Sequence, residues 1–344
     1  MNIGPAGAPF VSPYPPPSLP NSVHLTISVG VGQTRRDARS QRGKIARYVG
    51  VRSRLSLPAR VSSQGEIRTQ RMMTTLDRSP LGKPTDYPER YDPALLFPIA
   101  RARQREAFGL RGQLPFGGVD LWTAYEITWL DAQGKPRIAI GELRVPADST
   151  SIIESKSLKL YLGSFAQESA SIDEIARRIE ADLGRACGAT VTVALSPAVN
   201  TAGPGFAALP GESLDEIELA TDVYEPDPGS LTADGAIVEE TLRSALFGSR
   251  CPVTGQPDYG DVMIRYRGMR IDRVGLLRYL VSFRRHAAFH ESSVERMFVD
   301  ILGRCAPRAL TVYARFTRRG GIDINPFRSN FEPGPPEGVR TPRQ

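Results

Sequence analysis

One order of elements occurs twice along this chain and limits how it can fold. A candidate β-hairpin, a helix and a strand follow one another on either side of a Gly/Pro-rich stretch, residues 200–213. In the first pass, LWTAYEITWL (121–130) and RIAIGELRV (137–145) have the composition and alternation of strands and flank the turn sequence DAQGKP. Apolar side chains then recur at helical spacing over 171–188, and ATVTVALSP (189–197) favours a strand.

The second pass repeats that order with unrelated residues. DVMIRYRGMRID (261–272) predicts a hairpin with a tight RG turn, the segments 273–286 and 291–305 have helical periodicity, and ALTVYARF (309–316) alternates as a strand. LKLYLGSF (158–165) in the first pass also alternates briefly. We therefore expect an α+β fold of two related modules, each an antiparallel sheet with helices packed on one face.

The net charge of +7 comes entirely from the N-terminal segment. Residues 1–72 hold ten Arg and one Lys against one Asp and one Glu, a net +9, whereas the remaining 33 basic and 35 acidic residues give −2. The segment is rich in Pro, Arg, Ser and Gly without apolar periodicity, which predicts disorder. Translation starting at Met72 or Met73 and an RNA-binding arm are the alternatives. We expect a first module over 73–205 and a second over 206–344.

The composition also narrows the class of protein. No apolar run is long enough for a membrane helix, and no signal-peptide pattern opens the chain, so we expect a soluble cytoplasmic protein. Cys187, Cys251 and Cys305 are odd in number and widely spaced, which argues against a disulfide framework. No Cys-x-x-Cys or Cys/His spacing indicates a metal site, and we expect none.

One cysteine differs from the other two in its setting. Cys187 and Cys305 lie on apolar helical faces, where free cysteines usually pack as small hydrophobes. Cys251 instead lies among turn formers in SRCPVTGQPDYGD (249–261), next to Arg250, and a neighbouring cation favours the nucleophilic thiolate. Asp258 in the same stretch is either an Asx-turn residue or, if partly buried, a proton donor near the cysteine.

Two further polar clusters are candidates for ligand binding. His290 and Glu291 stand at a predicted helix start, where Glu291 is either a first-turn acid or an acceptor for the N–H groups of a purine-like ring. Glu154, Ser155 and Lys156 open a polar run, ESKSLK, that indicates either a solvated element start or a carboxylate and phosphate site. TRRGGIDINPF (317–327) adds guanidinium groups beside two glycines, which suits a phosphorylated ligand.

These stretches carry a resemblance to a known family. ESKSLKLYLGSF, CPVTGQPDYGDVMIRYRGMRIDRVGLLRYLVSFR, FHESSVERMF and VYARFTRRGGIDINPFRSN resemble the NADPH-dependent 7-cyano-7-deazaguanine reductases in their long, two-module form. LGKPTDYPERYDPALLFPIAR and LPFGGVDLWTAYEITWL resemble it too, so the likeness runs from about Leu81 to the end. It implies two tandem tunnelling-fold modules with active sites between modules or subunits. It also implies reduction of a nitrile to a primary amine with two NADPH, giving a precursor of queuosine in tRNA.

The resemblance also implies residue roles. Cys251 is similar to the nucleophile that forms a thioimide, and Asp258 to the proton donor. The remaining roles fall into two groups, one for the substrate and one for NADPH. The substrate group is Ile153, Glu154, Ser155, His290 and Glu291; the NADPH group is Ser155, Lys156, Arg319 and Gly320.

Two other functions are also compatible with the sequence. A cysteine-dependent nitrile or amide hydrolase would pair Cys251 with His290 and need no NADPH. A non-catalytic purine- or pterin-binding module would bind ligand without a covalent adduct. The family suggests a homodimer, and we expect contact neither with membranes nor directly with nucleic acid.

Overall fold

The structure is a computed structural model that describes residues 79–80, 87–198, 205–336 and 338–344. The segment 1–72, with the predictions of disorder and of an RNA-binding arm, lies outside the described residues. Within the described residues, no helix has both the length and the apolar character that crossing a membrane requires.

A single eight-stranded sheet organises the described residues. Its order is β5-β3-β2-β10-β9-β8-β7-β6, antiparallel throughout except for the parallel β6–β7 pair. A small antiparallel pair, β1–β4, lies outside it. The strands are β1 Pro98–Ala100, β2 Gly117–Leu130, β3 Pro136–Pro146, β4 Ser151–Ile153, β5 Thr192–Pro197, β6 Glu212–Ser213, β7 Ala233–Arg250, β8 Pro257–Ile271, β9 Ala309–Phe316 and β10 Ile322–Ser329.

Five α-helices accompany the sheet in the described part of the chain, and capping residues explain the limits of two of them. Ser171 caps the third helix by accepting from Glu174 N, and Gly188 ends it in the left-handed conformation at φ 65°. Asp272 caps the fourth helix at Gly275 N. The helices are α1 Arg101–Ala107, α2 Ser155–Gly163, α3 Ile172–Cys187, α4 Arg273–Ser282 and α5 His290–Cys305, with 3₁₀ turns at Pro93–Leu95, Ser164–Gln167, Pro228–Ser230 and Phe283–Arg285.

The helices pack on one face of the sheet. Ile322 and Ile324 of β10 belong to the core shared with α2 and α3, and Arg328, of the same strand parity, bonds to Glu295 on α5. Phe327, of the opposite parity, packs instead with Leu209 and other residues away from the helices. Since side chains alternate along a strand, all three helices contact the same face. This confirms the predicted α+β class.

Two sequence predictions of local structure were wrong. LKLYLGSF alternates as a strand would, but it is helical. It begins within α2, and the carboxylate of Glu154 caps the start of that helix. The RG pair at 267–268 is no turn: β8 runs straight through it and forms its hairpin with β7, a strand that the sequence reading missed. Gly268 is needed for close approach, since a Cβ there would stand 2.9 Å from Pro307 Cα.

The sheet is continuous across the predicted module boundary. Strand β10 pairs with β2 over eight residues, including Ile324 opposite Trp122. The division into 73–205 and 206–344 stays a prediction, and residues 199–204, just before that boundary, lie outside the described residues.

Candidate active site

Cys251 lies in the hairpin loop that joins β7 to β8. Arg250 and Pro257 form the last strand pair, Cys251 N donates to Gln256 O at 2.9 Å, and Gly255 N donates to Cys251 O at 3.0 Å. Gly255 adopts φ 68°, which suits a glycine in so tight a loop. The loop fixes the backbone of Cys251 while its side chain is 4% exposed. The other cysteines are buried in helices, and burial raises the pKa of Cys187 to about 12 and of Cys305 to about 11.

Asp258 is the second residue of β8 and lies near two cationic side chains, Arg319 and Lys159, and the ring of His290. Arg319 Nη1 donates to Asp258 Oδ1 at 2.7 Å, and His290 Nε2 lies 3.9 Å from the same oxygen. Burial raises the pKa of Asp258 above its usual range, although Arg319 and Lys159 oppose the rise. A buried carboxyl with a raised pKa is suited to holding a proton and giving it up.

His290 and Glu291 form the first turn of α5. The His290 ring packs edge-on against Phe316 with centroids 4.0 Å apart, and burial, helped by Arg319 and Lys159, lowers its pKa to about 3. The imidazole is therefore neutral at physiological pH. Glu291 Oε1 is buried without a hydrogen-bond partner among the described residues, and burial, with Asp120 adding to it, raises the pKa of Glu291 to about 8.

Glu154 stands at the other helix start of the site. It follows β4 and is the N-cap of α2, where its carboxylate accepts from Lys156 N at 2.7 Å and Ser157 N at 2.9 Å. Ile153 on one side and Ser155 on the other both reach the cavity described next, whereas Glu154 is not among its lining residues.

One cavity, here called the cysteine cavity, gathers most of the predicted residues. Two predicted residues, Cys251 and Asp258, come from the β7–β8 hairpin, and the others come from β4, two helix starts and the loop between β9 and β10. It is lined by Trp122, Ile153, Ser155, Cys251, Pro252, Asp258, Ala288, Phe289, His290, Glu291, Arg319 and Ile324. Trp122 and Phe289 were missed by the sequence reading, because an aromatic residue in an apolar strand or before a helix looks like ordinary core. Their rings suit a flat heterocycle.

A second cavity, the lysine cavity, adjoins the first. It shares five residues with the cysteine cavity and adds Lys159, Thr317, Ile322 and Asp323. Burial lowers the pKa of Lys159, and Arg319 adds to that effect. Gly320 adopts φ 63°, and a Cβ there would lie 3.1 Å from Lys159 Nζ, so this glycine lets the lysine approach the backbone.

The predicted NADPH residues are only partly brought together. Ser155 and Arg319 line both cavities, and Gly320 lies beside the second. The Lys156 side chain lines neither cavity, and its Nζ donates to Pro80 O at 2.9 Å. Lys159, one helical turn further on, takes the cavity position that the sequence reading gave to Lys156. The two lysines of ESKSLK are three residues apart, yet only Lys159 lines the lysine cavity, and the NADPH role of Lys156 stays a prediction.

A buried ion-pair network behind Glu291 was not predicted. Arg101 and Arg328 both pair with Asp120, at 2.5 and 2.7 Å, while Arg328 and Arg105 each donate to Glu295 at 2.8 Å. Burial works against ionisation of Glu295, but the arginines outweigh it and hold its pKa below the usual range. Because Glu295 lies one turn after Glu291, the network anchors the part of α5 that carries the site.

Comparison with known proteins gives consistent matches. Residues 87–195 match the family described as nitrile reductase, 7-cyano-7-deazaguanine-reductase N-term, and residues 257–334 match the family described as QueF-like protein. A relative from Paraburkholderia phytofirmans is 54% identical over 273 residues, covering 78% of this chain and 100% of the relative. Relatives from Burkholderia vietnamiensis (54%) and Paraburkholderia phymatum (53%) each cover 78% of this chain and 99% and 100% of their own. All three are named NADPH-dependent 7-cyano-7-deazaguanine reductase.

Proposed function

The chain belongs to the family of NADPH-dependent 7-cyano-7-deazaguanine reductases, and we propose that it reduces the nitrile of 7-cyano-7-deazaguanine to the primary amine. The product, 7-aminomethyl-7-deazaguanine, is the queuosine precursor that the family resemblance implies. One observation carries the proposal: Cys251, Asp258 and Glu291 line the same cavity, and Glu291 Oε1 has no hydrogen-bond partner among the described residues. Nucleophile, proton donor and ring acceptor thus lie within reach of one small heterocycle.

The covalent step uses Cys251 and Asp258. The Cys251 sulfur adds to the nitrile carbon while the nitrile nitrogen takes a proton from Asp258, which turns the C≡N triple bond into the C=N bond of a thioimide. Buried Asp258, with its raised pKa, is the group that supplies this proton. NADPH, if bound, would supply a hydride in each of two reductions; Cys251 would hold the carbon as the thioimide for the first, and would leave as the thiolate, with loss of a proton from the nitrogen, before the second.

Substrate recognition falls to the starts of α2 and α5. Glu291 accepts from the ring's amine and amide N–H groups through the oxygen that has no protein partner. Ile153, Ser155 and His290 bound the same cavity, with Glu154 behind them. The neutral His290 ring covers the space next to Asp258 and leaves the proton transfer to the carboxyl.

The donor groups of the lysine cavity suit a phosphate group of the cofactor. Lys159, Arg319 and Ser155 converge there, and Gly320 keeps the backbone open to close approach. Two cations together with a hydroxyl and a glycine loop are the donors that phosphate groups require. Arg319 reaches both the cofactor side and Asp258, so it aligns the two halves of the site.

The test is intact-protein mass spectrometry after mixing the protein with 7-cyano-7-deazaguanine in the absence of NADPH. We expect a mass gain equal to the whole nitrile, and no gain in Cys251→Ala, which keeps some substrate binding by calorimetry. Asp258→Asn should form the adduct far more slowly. Cys305→Ala, another buried cysteine away from the cavity, is the matched control and should form the adduct normally.

Other outcomes point to other functions. Conversion of the nitrile to an amide or acid without NADPH would establish the hydrolase. Binding without an adduct or turnover would leave a silent purine- or pterin-binding module. The low pKa of His290, about 3, makes it a poor base for a Cys–His hydrolase pair and favours the reductase.

The assembly and the location complete the proposal. The family resemblance supports a cytoplasmic homodimer that makes no direct contact with nucleic acid. Light scattering of the full chain, with and without residues 1–72, measures the assembly. We expect a dimer and unchanged turnover after the deletion.

A further inference from the structure

The loop that carries Arg319 is held from the far side of the sheet. Residues 317–321, here called the arginine loop, join β9 to β10 and supply Thr317 and Arg319 to the lysine cavity. Three backbone hydrogen bonds fix the loop: Thr317 N to Tyr259 O, Arg319 N to Ile322 O, and Tyr125 N to Gly321 O, all 2.9 Å. With positive φ at two successive glycines, 320 and 321, the loop depends on such outside contacts for one conformation.

The Gln344 side chain forms hydrogen bonds to both strands that flank this loop. Its side-chain Nε2 donates to Phe316 O, the last residue of β9, at 3.2 Å, and to Asn325 Oδ1 on β10 at 2.8 Å. Its Oε1 accepts from Arg315 Nε and from Thr341 N. The Gln344 residue is 7% exposed, so these bonds are made away from water, where they hold position best.

The hydrogen bonds continue from Gln344 toward the other end of the loop. Asn325 Nδ2 donates to Asp323 Oδ1 at 2.6 Å, and Tyr125 OH donates to Asp323 Oδ2 at 2.5 Å. Asp323 and Asn325 share strand parity with Phe327, so their side chains lie on the sheet face away from the helices. The contacts therefore reach the loop from the sheet face away from the helices and lie outside the cysteine cavity, although Asp323 also lines the lysine cavity.

Cations stacked on Tyr125 extend this support. The guanidinium carbon of Arg318 lies 4.5 Å from the Tyr125 ring centroid, and that of Arg340 lies 4.7 Å from it. Arg340 also donates to Gln344 O at 3.1 Å. Residues 340–344 thus reach the arginine loop by two routes, one through Gln344 and one through Arg340 and Tyr125.

We propose that Gln344 is a positioning residue for the cofactor side of the active site, holding the arginine loop so that Arg319 faces the lysine cavity. The inference rests on the proposed function, because it takes the cavity's anionic ligand to be NADPH. The Gln344 side chain touches neither cavity. It acts through Phe316 and Asn325, and its loss should weaken NADPH binding more than it slows the nitrile chemistry at Cys251, which Arg319 influences only through its hydrogen bond to Asp258.

Three variants and two readouts test this. Gln344→Met keeps the length of the side chain and removes all of its side-chain hydrogen bonds. Gln344→Glu keeps the acceptor for Arg315 and removes the donor to Phe316 and Asn325. Arg343→Ala is the control, since Arg343 contacts only Ala245 O and Asp261. The readouts are the Kd and KM for NADPH, and the rate of adduct formation without NADPH.

We expect both Gln344 variants to raise the Kd and KM for NADPH about five- to tenfold, the effect of losing one or two buried hydrogen bonds. Adduct formation should stay within about twofold of wild type, and Arg343→Ala should match wild type in both readouts. If Gln344→Met lowers the melting temperature while NADPH affinity is unchanged, or slows adduct formation as much as it weakens NADPH binding, the positioning role is wrong.

The result separates this inference from the proposed function. If the wild-type protein binds NADPH but forms no nitrile adduct, the reductase assignment is wrong. The ratio of the NADPH affinities of wild type and the Gln344 variants still decides the role of Gln344. If Gln344→Met does not fold, Gln344→Glu decides it alone. A wild type that binds no NADPH overturns the inference outright.

Discussion

Two buried glutamates lie at the starts of two helices, and they differ in the hydrogen bonds that their carboxylates accept from the backbone. Glu154 precedes α2, and its carboxylate oxygens accept from the N–H groups of Lys156 and Ser157. Glu291 lies inside the first turn of α5, and its Oε1 has no partner among the described residues. Both side chains are buried, so the difference lies in hydrogen bonding.

We infer from this difference that Glu154 stabilises a helix, whereas Glu291 is available to bind a ligand. A carboxylate at an N-cap satisfies backbone donors and stabilises the helix. A buried carboxylate without a partner costs free energy, and a ligand that brings N–H donors relieves the cost. The sequence resemblance gives the two glutamates one common role. The structure gives Glu154 a second one, and only Glu291 is unsatisfied without substrate.

The largest effect should come from Glu291→Gln. The amide keeps the shape but loses the charged acceptor, so kcat/KM for the nitrile should fall on the order of 100-fold, the value of strong hydrogen bonds to a charged group. The melting temperature should not fall, because the change removes a buried ionisable group without a partner. Steady-state kinetics and thermal unfolding measure both. A large loss of stability with normal kcat/KM would reverse the comparison.

The second prediction concerns pH and isolates the same carboxyl. The pKa of Glu291 is about 8 without substrate, so at pH 6 the group is mostly protonated. If the substrate binds the ionised form, affinity rises with pH, about tenfold per unit below pH 8, and levels off above it. Calorimetry with Cys251→Ala, which cannot form the adduct, measures this. The Cys251→Ala/Glu291→Gln double variant should be flat from pH 6 to 9, and an affinity that falls as pH rises would contradict the assignment.

The third prediction follows from the same raised pKa and concerns stability. An acid whose pKa is higher in the folded than in the unfolded state binds more protons when folded, so stability falls as pH rises. For Glu291 the fall should span the range from its ordinary value, 4.5, to about 8. Glu291→Gln removes this contribution, so its stability relative to wild type should increase from pH 5 to pH 8.5. Urea unfolding at both values checks the sign, and a constant difference would contradict it.

The sequence predicted elements with strong periodicity and missed those that tertiary contacts decide. Helices α3 and α5 and strands β2, β3, β9 appeared in their patterns. Strand β7 did not, because its first half is mostly exposed, shows no polar–apolar alternation and is held by pairing with β8. Helix α2 was missed because LKLYLGSF begins with leucines at every second position, and a short alternating run is typical of a strand.

The site shows the same limit. Motif resemblance marked Cys251, Asp258 and Glu291, and the fold does bring them to one cavity. It also marked Lys156, whereas the cavity contains Lys159. The arginine network behind Glu291 and the contacts of Gln344 join residues up to about 200 positions apart, and no local pattern reports such pairs. Single-sequence reasoning finds the reacting groups more readily than the residues that position them.

The smallest effect should come from Glu154→Gln, which tests the other side of the comparison. The amide oxygen can accept from only one of the two backbone donors, so unfolding free energy should fall about 1 kcal/mol, the usual value of a cap, and the melting temperature about 2–4 °C. The KM for the nitrile should rise less than tenfold, well below the change in Glu291→Gln. Ser171→Ala removes the cap of α3 outside both cavities, and should cost similar stability with unchanged kinetics. If Glu154→Gln weakens substrate binding as much as Glu291→Gln does, the two glutamates share the ligand equally, and capping does not divide their roles.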